Sequence, residues 1–255
     1  MTADGWHDFL RWALPRLRLR QRGYERVHRR VRKQVGRRMR ELRLTDLAAY
    51  RHHLLSHEDE WGVLDRLCRV VISRCCRDRA CFDRLRDAWL PDAVHRARAA
   101  GRPCVEVFSA GCACGEEPWS VRLLWDLELA REFADVELRI VATDVDPRVL
   151  ERARQAVYPA SSLRELPQQW RANGCFERVA RGFRLADAHR HGVQFLQQDL
   201  RTAVPDARFD VILCRNVAFT YFGEDLQRTV LASLRSCLQP GGVIVIGARE
   251  QLPCE

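Results

Sequence analysis

The stretch 105–119 holds the residues of this chain that are best suited to binding a charged ligand. After a β-prone segment come small loop residues, two carboxylates and a proline: Gly111, Ala113, Gly115, Glu116, Glu117 and Pro118. Small residues let the backbone approach a ligand closely, and the first turn of a helix offers N–H donors without partners. The stretch therefore predicts a strand–loop–helix site for a nucleotide-type ligand, in preference to a plain turn.

Polar residues also end two later apolar segments. Leu138–Asp144 ends on an acidic side chain, and Phe209–Asn216 ends on an amide. Open α/β sheets bind ligands at the carboxyl ends of their strands, where an acidic residue can accept hydrogen bonds from ribose hydroxyls. We therefore expect Asp144 and Asn216 to face the same ligand as the glycine loop.

The elements that must position these residues alternate along the chain. Apolar patterns predict strands at 105–109, 138–143, 193–196, 209–214 and 243–247, with helices at 117–131, 147–156 and 224–238. Such alternation is typical of a parallel sheet covered by helices. Prolines and glycines interrupt it at 157–191, which predicts a small inserted subdomain.

The first 95 residues have a different pattern, with Val27, Val31, Val35 and Met39 at helical spacing between arginines. We expect a helical domain at 1–95 and an α/β domain at 96–255. The net charge of +9 lies wholly in the first, because Arg11–Arg43 carries 14 basic and two acidic residues. A basic helical face attracts phosphates, anionic membranes or acidic proteins, although it can also be a merely solvated surface.

Composition excludes several classes of protein. No apolar run of about 18 residues predicts a membrane span, and the N-terminal residues lack a basic segment followed by an apolar one. Eleven cysteines without a Cys-x-x-Cys pair suggest reduced thiols in a cytoplasmic protein, and the scattered histidines disfavour a metal site.

Four segments together resemble the chemotaxis receptor methyltransferases of the CheR type, which methylate glutamates on chemoreceptor helices with S-adenosylmethionine. The segments are Ser109-Ala-Gly-Cys-Ala-Cys-Gly-Glu-Glu-Pro-Trp-Ser120, Ala142-Thr-Asp-Val-Asp146, Cys214-Arg-Asn-Val217 and Leu238-Gln-Pro-Gly-Gly242. The resemblance covers most of the chain. It implies a Rossmann-like class I methyltransferase sheet, an all-helical N-terminal domain and a small inserted subdomain.

The resemblance also implies a set of site residues. Arg77 would steer the substrate carboxylate, with Tyr221 as a second catalytic candidate. Asp144 would hold the ribose hydroxyls, and Asp199 stands near the adenine where the family usually has Asn. The cofactor-binding residues would be Ser73, Arg77, Gly111, Ala113, Glu116, Glu117, Asp144, Asp199, Leu200, Asn216 and Val217.

The sequence departs from the family in three places. Cys75-Cys76 replaces paired aromatics before Arg77, and one extra residue after Asn216 displaces Tyr221. Eight residues follow Gly247, whereas two further strands in a hairpin need about 20. We therefore expect the C-terminal hairpin strands to be missing, leaving five parallel strands with an exposed edge, or else a truncated product of lower activity.

A glutamate acceptor fits these site residues because its carboxylate, with a reference pKa of about 4.3, is already ionised at neutral pH, so the site requires no general base. The leading hypothesis is a protein-glutamate O-methyltransferase acting on acidic chemoreceptor helices, without membrane insertion. Two alternatives stay open: a methyltransferase with another acceptor (a different protein, a small molecule or RNA), and a non-catalytic cofactor-binding scaffold. A nucleic-acid partner is the less favoured alternative, since no aromatic residues suited to base stacking interleave with the basic stretch.

Overall fold

The computed structural model describes residues 3–254 and groups the chain into two compact units. The first unit comprises Met1–Val71, Ala218–Arg228 and Pro253–Glu255, and the second comprises Ile72–Val217 and Thr229–Leu252. Residues 72–95 therefore group with the second unit. The predicted domains, 1–95 and 96–255, stay a prediction, because compactness alone does not say which segments fold independently.

The elements follow one another in this order along the chain. The helices are α1 (Ala3–Ala13), α2 (His28–Glu41), α3 (Leu47–Ser56), α4 (Glu58–Cys68), α5 (Arg79–Arg84), α6 (Leu90–Ala99), α7 (Glu116–Leu124), α8 (Pro147–Gln155), α9 (Gln168–Ala172), α10 (Ala218–Tyr221) and α11 (Glu224–Ser236). The strands are β1 (Cys104–Ala110), β2 (Glu137–Asp144), β3 (Val157–Tyr158), β4 (Phe176–Val179), β5 (Gly182–Leu185), β6 (Val193–Gln197), β7 (Phe209–Cys214) and β8 (Leu238–Ile246).

The first unit is helical, as its spacing predicts. Val31, Val35 and Met39 are buried along one side of α2, and Val27 packs against the same apolar cluster from just before the helix. Because apolar side chains recur every four positions, the arginines between them are left on the remaining surface of the helix. The buried Glu60 of α4 accepts two hydrogen bonds from Arg38 of α2, at 3.0 and 2.8 Å, and so joins these helices.

The second unit contains a parallel sheet in the order β6-β2-β1-β7-β8, which has five strands among the described residues. Every residue of β7 is buried, and so is all of β1 except Glu106. Continuous apolar runs of this kind are typical of strands that are covered on both faces. The predicted fold class is confirmed, and the carboxyl ends of β1, β2 and β7 lie at one edge of the sheet.

The inserted segment 157–191 forms its own small antiparallel sheet in the order β3-β5-β4. The short helix α9 lies within the same segment. The prolines and glycines of this segment predict such an insert, and the insert is present.

Two elements differ from their predicted bounds by more than two residues. The predicted helix 117–131 is α7 followed by a π-helical turn at Trp125–Leu129. The predicted strand 243–247 is the regular part of β8, which begins at Leu238; the register against β7 shifts before Val243, so the residues between bulge outward. Within the described residues, no strand follows Ile246 and no helix is long and apolar enough to cross a membrane.

Candidate active site

The glycine loop (Gly111–Gly115) joins β1 to α7 through several left-handed residues. Gly111, Ala113 and Gly115 have φ angles of +71°, +50° and +85°. Glycine adopts such angles without strain, whereas alanine does so at a cost that neighbouring contacts must offset. A Cβ at Gly111 would lie 2.6 Å from Cγ2 of Val217, so the loop passes directly against the residue that follows Asn216.

Asp144, at the end of β2, anchors this loop. Its Oδ2 accepts a hydrogen bond from the N–H of Ala113 at 3.0 Å, and its Oδ1 accepts one from Asp146 at 3.0 Å. The N–H of Cys112 also donates to the carbonyl of Thr143 at 2.9 Å. A carboxylate offers about four acceptor positions, so anchoring the loop does not by itself preclude the predicted ribose contact, which stays a prediction.

Glu116, the first residue of α7, is buried at 4 % exposure. Ser162 donates to its Oε1 at 3.3 Å, and Ser73 lies close enough to help lower the pKa by hydrogen bonding. Burial outweighs both and raises the pKa of the Glu116 carboxyl. Its Oε2 has no partner in hydrogen-bond geometry among residues 3–254, so it could accept a hydrogen bond from a ligand.

Glu117 is the centre of a buried polar network. Ser109 donates to its Oε1 at 2.7 Å, and the guanidinium of Arg215 donates to its Oε2 at 3.0 Å. Arg215 also donates to Asp78 at 2.7 Å and to the backbone carbonyl of Arg77 at 2.8 Å. Burial raises the pKa of the Glu117 carboxyl, while the charge of Arg215 opposes that shift. The network fixes the backbone of Arg77, and the predicted contact of Glu117 with the cofactor stays a prediction.

Arg77 and Asn216 are brought together at the end of β7, although 139 positions separate them. Nη2 of Arg77 donates to Oδ1 of Asn216 at 3.1 Å, and Nη1 donates to the carbonyl of Ile72 at 3.1 Å. Asn216 has a left-handed φ of +59°. Because Val217 contacts the glycine loop, the predicted residues of β1, β2 and β7 share one edge of the sheet.

Glu250 joins this group from the segment after β8. Its Oε2 accepts the N–H of Asn216 at 2.8 Å and the N–H of Gly247 at 2.6 Å. No motif in the sequence points to Glu250.

Asp199 and Leu200 follow β6, as predicted. The carboxylate of Asp199 is held by the guanidinium of Arg201, with N–O distances of 2.7 to 3.0 Å. Leu200 is buried at 8 % exposure. Their predicted place near the adenine stays a prediction.

The two cysteines that replace the family's aromatics are buried and serve a structural role. Cys75 and Cys76 are 0 % and 2 % exposed, and their backbone N–H groups donate to the carbonyl of Ser162 and to Oγ of Ser120, both at 2.9 Å. Burial raises the pKa of Cys76 to about 12 and that of Cys75 well above its usual range. Neither thiol is therefore a ready nucleophile at neutral pH.

Tyr221, the second catalytic candidate, groups with the first unit. Its ring centroid lies 5.3 Å from that of Tyr24, and its backbone carbonyl accepts the N–H of Arg20 at 2.9 Å. Its predicted catalytic role stays a prediction.

The residues present fit S-adenosylmethionine in two respects. The buried acceptor of Glu116 could pair with the amino group of the methionine part. The left-handed glycine loop leaves the backbone open to a close approach. A sulfonium cofactor would supply an activated methyl group at this place.

Arg215 and Glu250 are the site residues that sequence reasoning missed. The Cys-Arg-Asn segment was recognised as a motif, but Arg215 itself received no role. Glu250 lies outside every pattern that was used. Arg215 directly follows the apolar run that ends at Cys214, and this was the one signal in the sequence, since arginine is rarely buried unless it is paired.

Comparison with known proteins gives a family and several relatives. Residues 72–255 match the family described as "CheR methyltransferase, SAM binding domain". The chain is 32% identical over 212 residues to a probable chemotaxis protein methyltransferase of Rhizobium etli, covering 82% of this chain and 74% of that protein. It is 30% identical over 186 residues to a chemotaxis protein methyltransferase of Listeria monocytogenes, covering 73% and 67%.

Solved structures are more distant. The complex of DhpI with SAH is 21% identical with a TM-score of 0.31, covering 63% of this chain and 56% of that one. The glycopeptide N-methyltransferase MtfA with sinefungin is 18% identical with a TM-score of 0.35, covering 61% and 47%. This chain therefore spans about half the length of these two structures.

Proposed function

This chain belongs to the CheR methyltransferase family, and from that premise we propose that it transfers a methyl group from S-adenosylmethionine to glutamate carboxylates of chemoreceptor-type proteins. The family membership and the cofactor class come from the match over residues 72–255. The acceptor and the roles of single residues belong to the proposal.

The observation that carries the proposal is the position of Arg77. Its guanidinium uses two of its five N–H groups in the contacts with Asn216 and Ile72. The remaining donors form part of a planar fork that matches a carboxylate. Asn216 immediately precedes Val217, which contacts the glycine loop. This fork therefore lies at the edge of the sheet where the cofactor is expected.

The chemistry requires alignment more than proton transfer. A glutamate carboxylate is ionised at neutral pH, so the site needs no general base. A bound sulfonium cofactor would supply an activated methyl group to one acceptor oxygen; the carbon–sulfur bond would break with its electron pair left on sulfur, to give a methyl ester and a neutral thioether. Orientation of this kind can lower a barrier by roughly 7–11 kcal/mol. Arg77 orients the acceptor, and Arg215 with Asn216 orients Arg77.

The acidic partner would meet the basic surface of the first unit. Exposed basic side chains recur at spacings of three and four residues from the approach to α2 along the helix: Arg26, Arg29, Lys33, Arg37 and Arg40. They lie away from the buried valines of the same helix. Complementary charge mainly accelerates association and fixes orientation, as a glutamate-rich helix requires.

We also propose a cytoplasmic location. All eleven cysteines lie within the described residues, and all of them are free thiols. Free thiols persist in a reducing compartment.

The first test is calorimetry of S-adenosylmethionine binding to the wild-type protein and to Asp144→Ala. Loss of the carboxylate frees Ala113 and the glycine loop, so we expect at least about 10-fold weaker binding. A folded wild-type protein that fails to bind would contradict the proposed cofactor site.

The second test measures methyl transfer to an acidic receptor-helix peptide by Arg77→Ala, with Arg79→Ala as the matched control. Arg79 is an exposed neighbour on the same segment. We expect Arg77→Ala to lose roughly 100-fold in turnover while it retains a measurable cofactor affinity, and Arg79→Ala to lose little. Equal losses in both variants would remove Arg77 from the acceptor site.

The acceptor and the partner surface are tested together. In the Arg29→Glu/Lys33→Glu variant, we expect KM for the peptide to rise several-fold at nearly unchanged kcat, and the effect to shrink at high salt. Arg131→Glu/Arg235→Glu carries the same charge change elsewhere and should behave as wild type. Methylation of a nucleic-acid pool in preference to the peptide would indicate a different acceptor. Absence of turnover with any acceptor, despite cofactor binding, would indicate a scaffold.

A further inference from the structure

We propose that Glu250 is a positioning residue for the Asn216–Arg77 pair: its carboxylate sets the backbone of Asn216, which in turn holds the guanidinium that faces the acceptor. The inference rests on the proposed function, which assigns that guanidinium the role of orienting the acceptor. The contacts on which it depends are geometric and can be tested separately.

The first step is the double hydrogen bond to one oxygen. Oε2 of Glu250 accepts the N–H of Asn216 at 2.8 Å and the N–H of Gly247 at 2.6 Å. Hydrogen bonds to an ionised acceptor are roughly twice as strong as neutral ones. A single carboxylate oxygen therefore clamps the end of β7 to the residue that follows β8.

The second step is the local fold that aims this oxygen. The N–H of Glu250 donates to the carbonyl of Gly247 at 2.8 Å, which closes a turn over residues 247–250. A Cβ on Gly247 would lie 2.8 Å from Oε2 of Glu250 and 3.1 Å from Nδ2 of Asn216. The missing side chain at Gly247 thus leaves the space that the carboxylate and the amide occupy.

The third step is the conformation of Asn216. Its φ of +59° is left-handed, which asparagine tolerates better than most residues but which still needs support from its surroundings. The clamp on its N–H gives that support, while its Oδ1 accepts Nη2 of Arg77 at 3.1 Å. The path from Glu250 to Arg77 therefore runs through one residue, by its backbone at one end and by its amide at the other.

The geometry distinguishes two substitutions sharply. Because the same oxygen accepts both N–H groups, the single amide oxygen of glutamine can replace it, whereas alanine offers no acceptor. Because Glu250 acts through Arg77, we expect Glu250→Ala to lower turnover at least about 10-fold at saturating S-adenosylmethionine, and Glu250→Gln to stay within about 3-fold of wild type. Gln251→Ala, an exposed neighbour, is the matched control and should be unchanged.

Three arms separate positioning from simple stability. Calorimetry gives the cofactor affinity, denaturant unfolding gives the stability of each variant, and Glu250→Ala is repeated in the Arg77→Ala background. If Glu250 acts through Arg77, it should add less than about 2-fold to the turnover loss already caused by Arg77→Ala, since coupled residues are not additive. A full additional loss of turnover in the double variant would overturn the proposal. It would also be overturned if Glu250→Gln and Glu250→Ala lost equal turnover and these losses paralleled their losses of stability.

A last readout does not depend on the cofactor. Amide hydrogen exchange of the cofactor-free protein reports the N–H groups of Asn216 and Gly247 directly. We expect Glu250→Ala to accelerate both at least about 10-fold relative to Gln251→Ala, with Glu250→Gln retaining most of the protection. If the variants show this pattern but the wild-type protein binds no cofactor, the proposed function is refuted and the clamp is retained. Unchanged exchange in Glu250→Ala would refute the clamp itself.

Discussion

The two sides of the candidate site are built by different means. On the glycine-loop side (Gly111–Gly115 with Asp144), backbone conformation and one carboxylate set the geometry, and the key contact joins residues 31 positions apart. On the arginine–asparagine side (Arg77, Arg215, Asn216 and Glu250), charged and amide side chains from distant segments hold each other, across 137 and 139 positions. The first side is a local device that a motif can encode, and the second exists only once the sheet has formed.

This difference also predicts which side is more fragile. Removing a contact on the glycine-loop side strains a turn or frees a carbonyl. Removing Arg215 on the other side leaves the largely buried carboxylate of Glu117 without its counter-charge. Buried charges without partners are more costly than lost neutral hydrogen bonds.

The largest effect is therefore expected for Arg215→Met. Methionine fills much of the volume, but it removes the ion-pair partner of Glu117 and the donor to Asp78 and to the carbonyl of Arg77. Breaking a buried ion pair in this way costs about 3–5 kcal/mol. Urea unfolding should show that loss, and cofactor affinity should fall with it.

The double variant Arg215→Met/Glu117→Gln provides the control for this substitution. It removes both charges, so a large part of the stability should return, because a pair of neutral groups of similar volume avoids the desolvation cost. If the double variant is as unstable as the single one, packing rather than charge dominates on this side.

The pH dependence sharpens the same point. Burial raises the folded-state pKa of the Glu117 carboxyl above its unfolded value. Between those two values the folded protein binds the proton more tightly than the unfolded chain, so the free energy of unfolding falls as pH rises through that window. Without the charge of Arg215 the folded-state pKa of the Glu117 carboxyl rises further, so this pH range extends to higher pH. We expect the stability gap between wild type and Arg215→Met to grow as pH rises above the ordinary pKa of glutamate, by at most about 1.4 kcal/mol per pH unit. A gap that narrows with rising pH would contradict the assignment to Glu117.

A smaller loss is expected on the glycine-loop side for Gly115→Ala. The added Cβ would lie 2.8 Å from Cβ of Ala153 and 3.1 Å from its Cα, at a φ of +85°. Overpacking of this kind costs about 1–3 kcal/mol in addition to the conformational strain. Gly101→Ala is the matched control, because Gly101 has a φ of +64° and no atom within 4 Å of the added Cβ. Thermal unfolding of the two variants separates the clash from the strain, and equal losses would show that the loop can shift away from α8.

The same comparison explains what the sequence could predict. The strand–loop–helix motif, the acidic end of β2 and the order of helices and strands follow from local periodicity and from residues that favour turns. The clamp of Glu250 and the network of Arg215 depend on side-chain pairing between segments that meet only in the folded sheet, which a single sequence does not reveal. Arg77 was named only through the family resemblance, since its own neighbourhood of arginines predicts an exposed cation.

The smallest effect is expected from replacing two tyrosines, Tyr158 and Tyr24, whose hydroxyls make the same kind of hydrogen bond. The hydroxyl of Tyr158, on the inserted segment, donates to the carbonyl of Cys114 in the glycine loop at 2.8 Å. The hydroxyl of Tyr24, in the first unit, donates to the carbonyl of Cys68 at 3.1 Å. Both rings are buried, at 1% and 2% exposure. Each change to phenylalanine should therefore cost about 1 kcal/mol of stability in urea unfolding.

Only Tyr158→Phe should also change the site. Without its donor, the carbonyl of Cys114 is free to turn, and the left-handed loop that ends at Gly115 loses one of its constraints. We expect cofactor binding to weaken by about 2- to 5-fold in Tyr158→Phe and to stay unchanged in Tyr24→Phe, measured by calorimetry. If both variants bind as wild type, the contacts with the end of β2 hold the glycine loop without Tyr158, and the inserted segment contributes to the stability of that side without shaping its site.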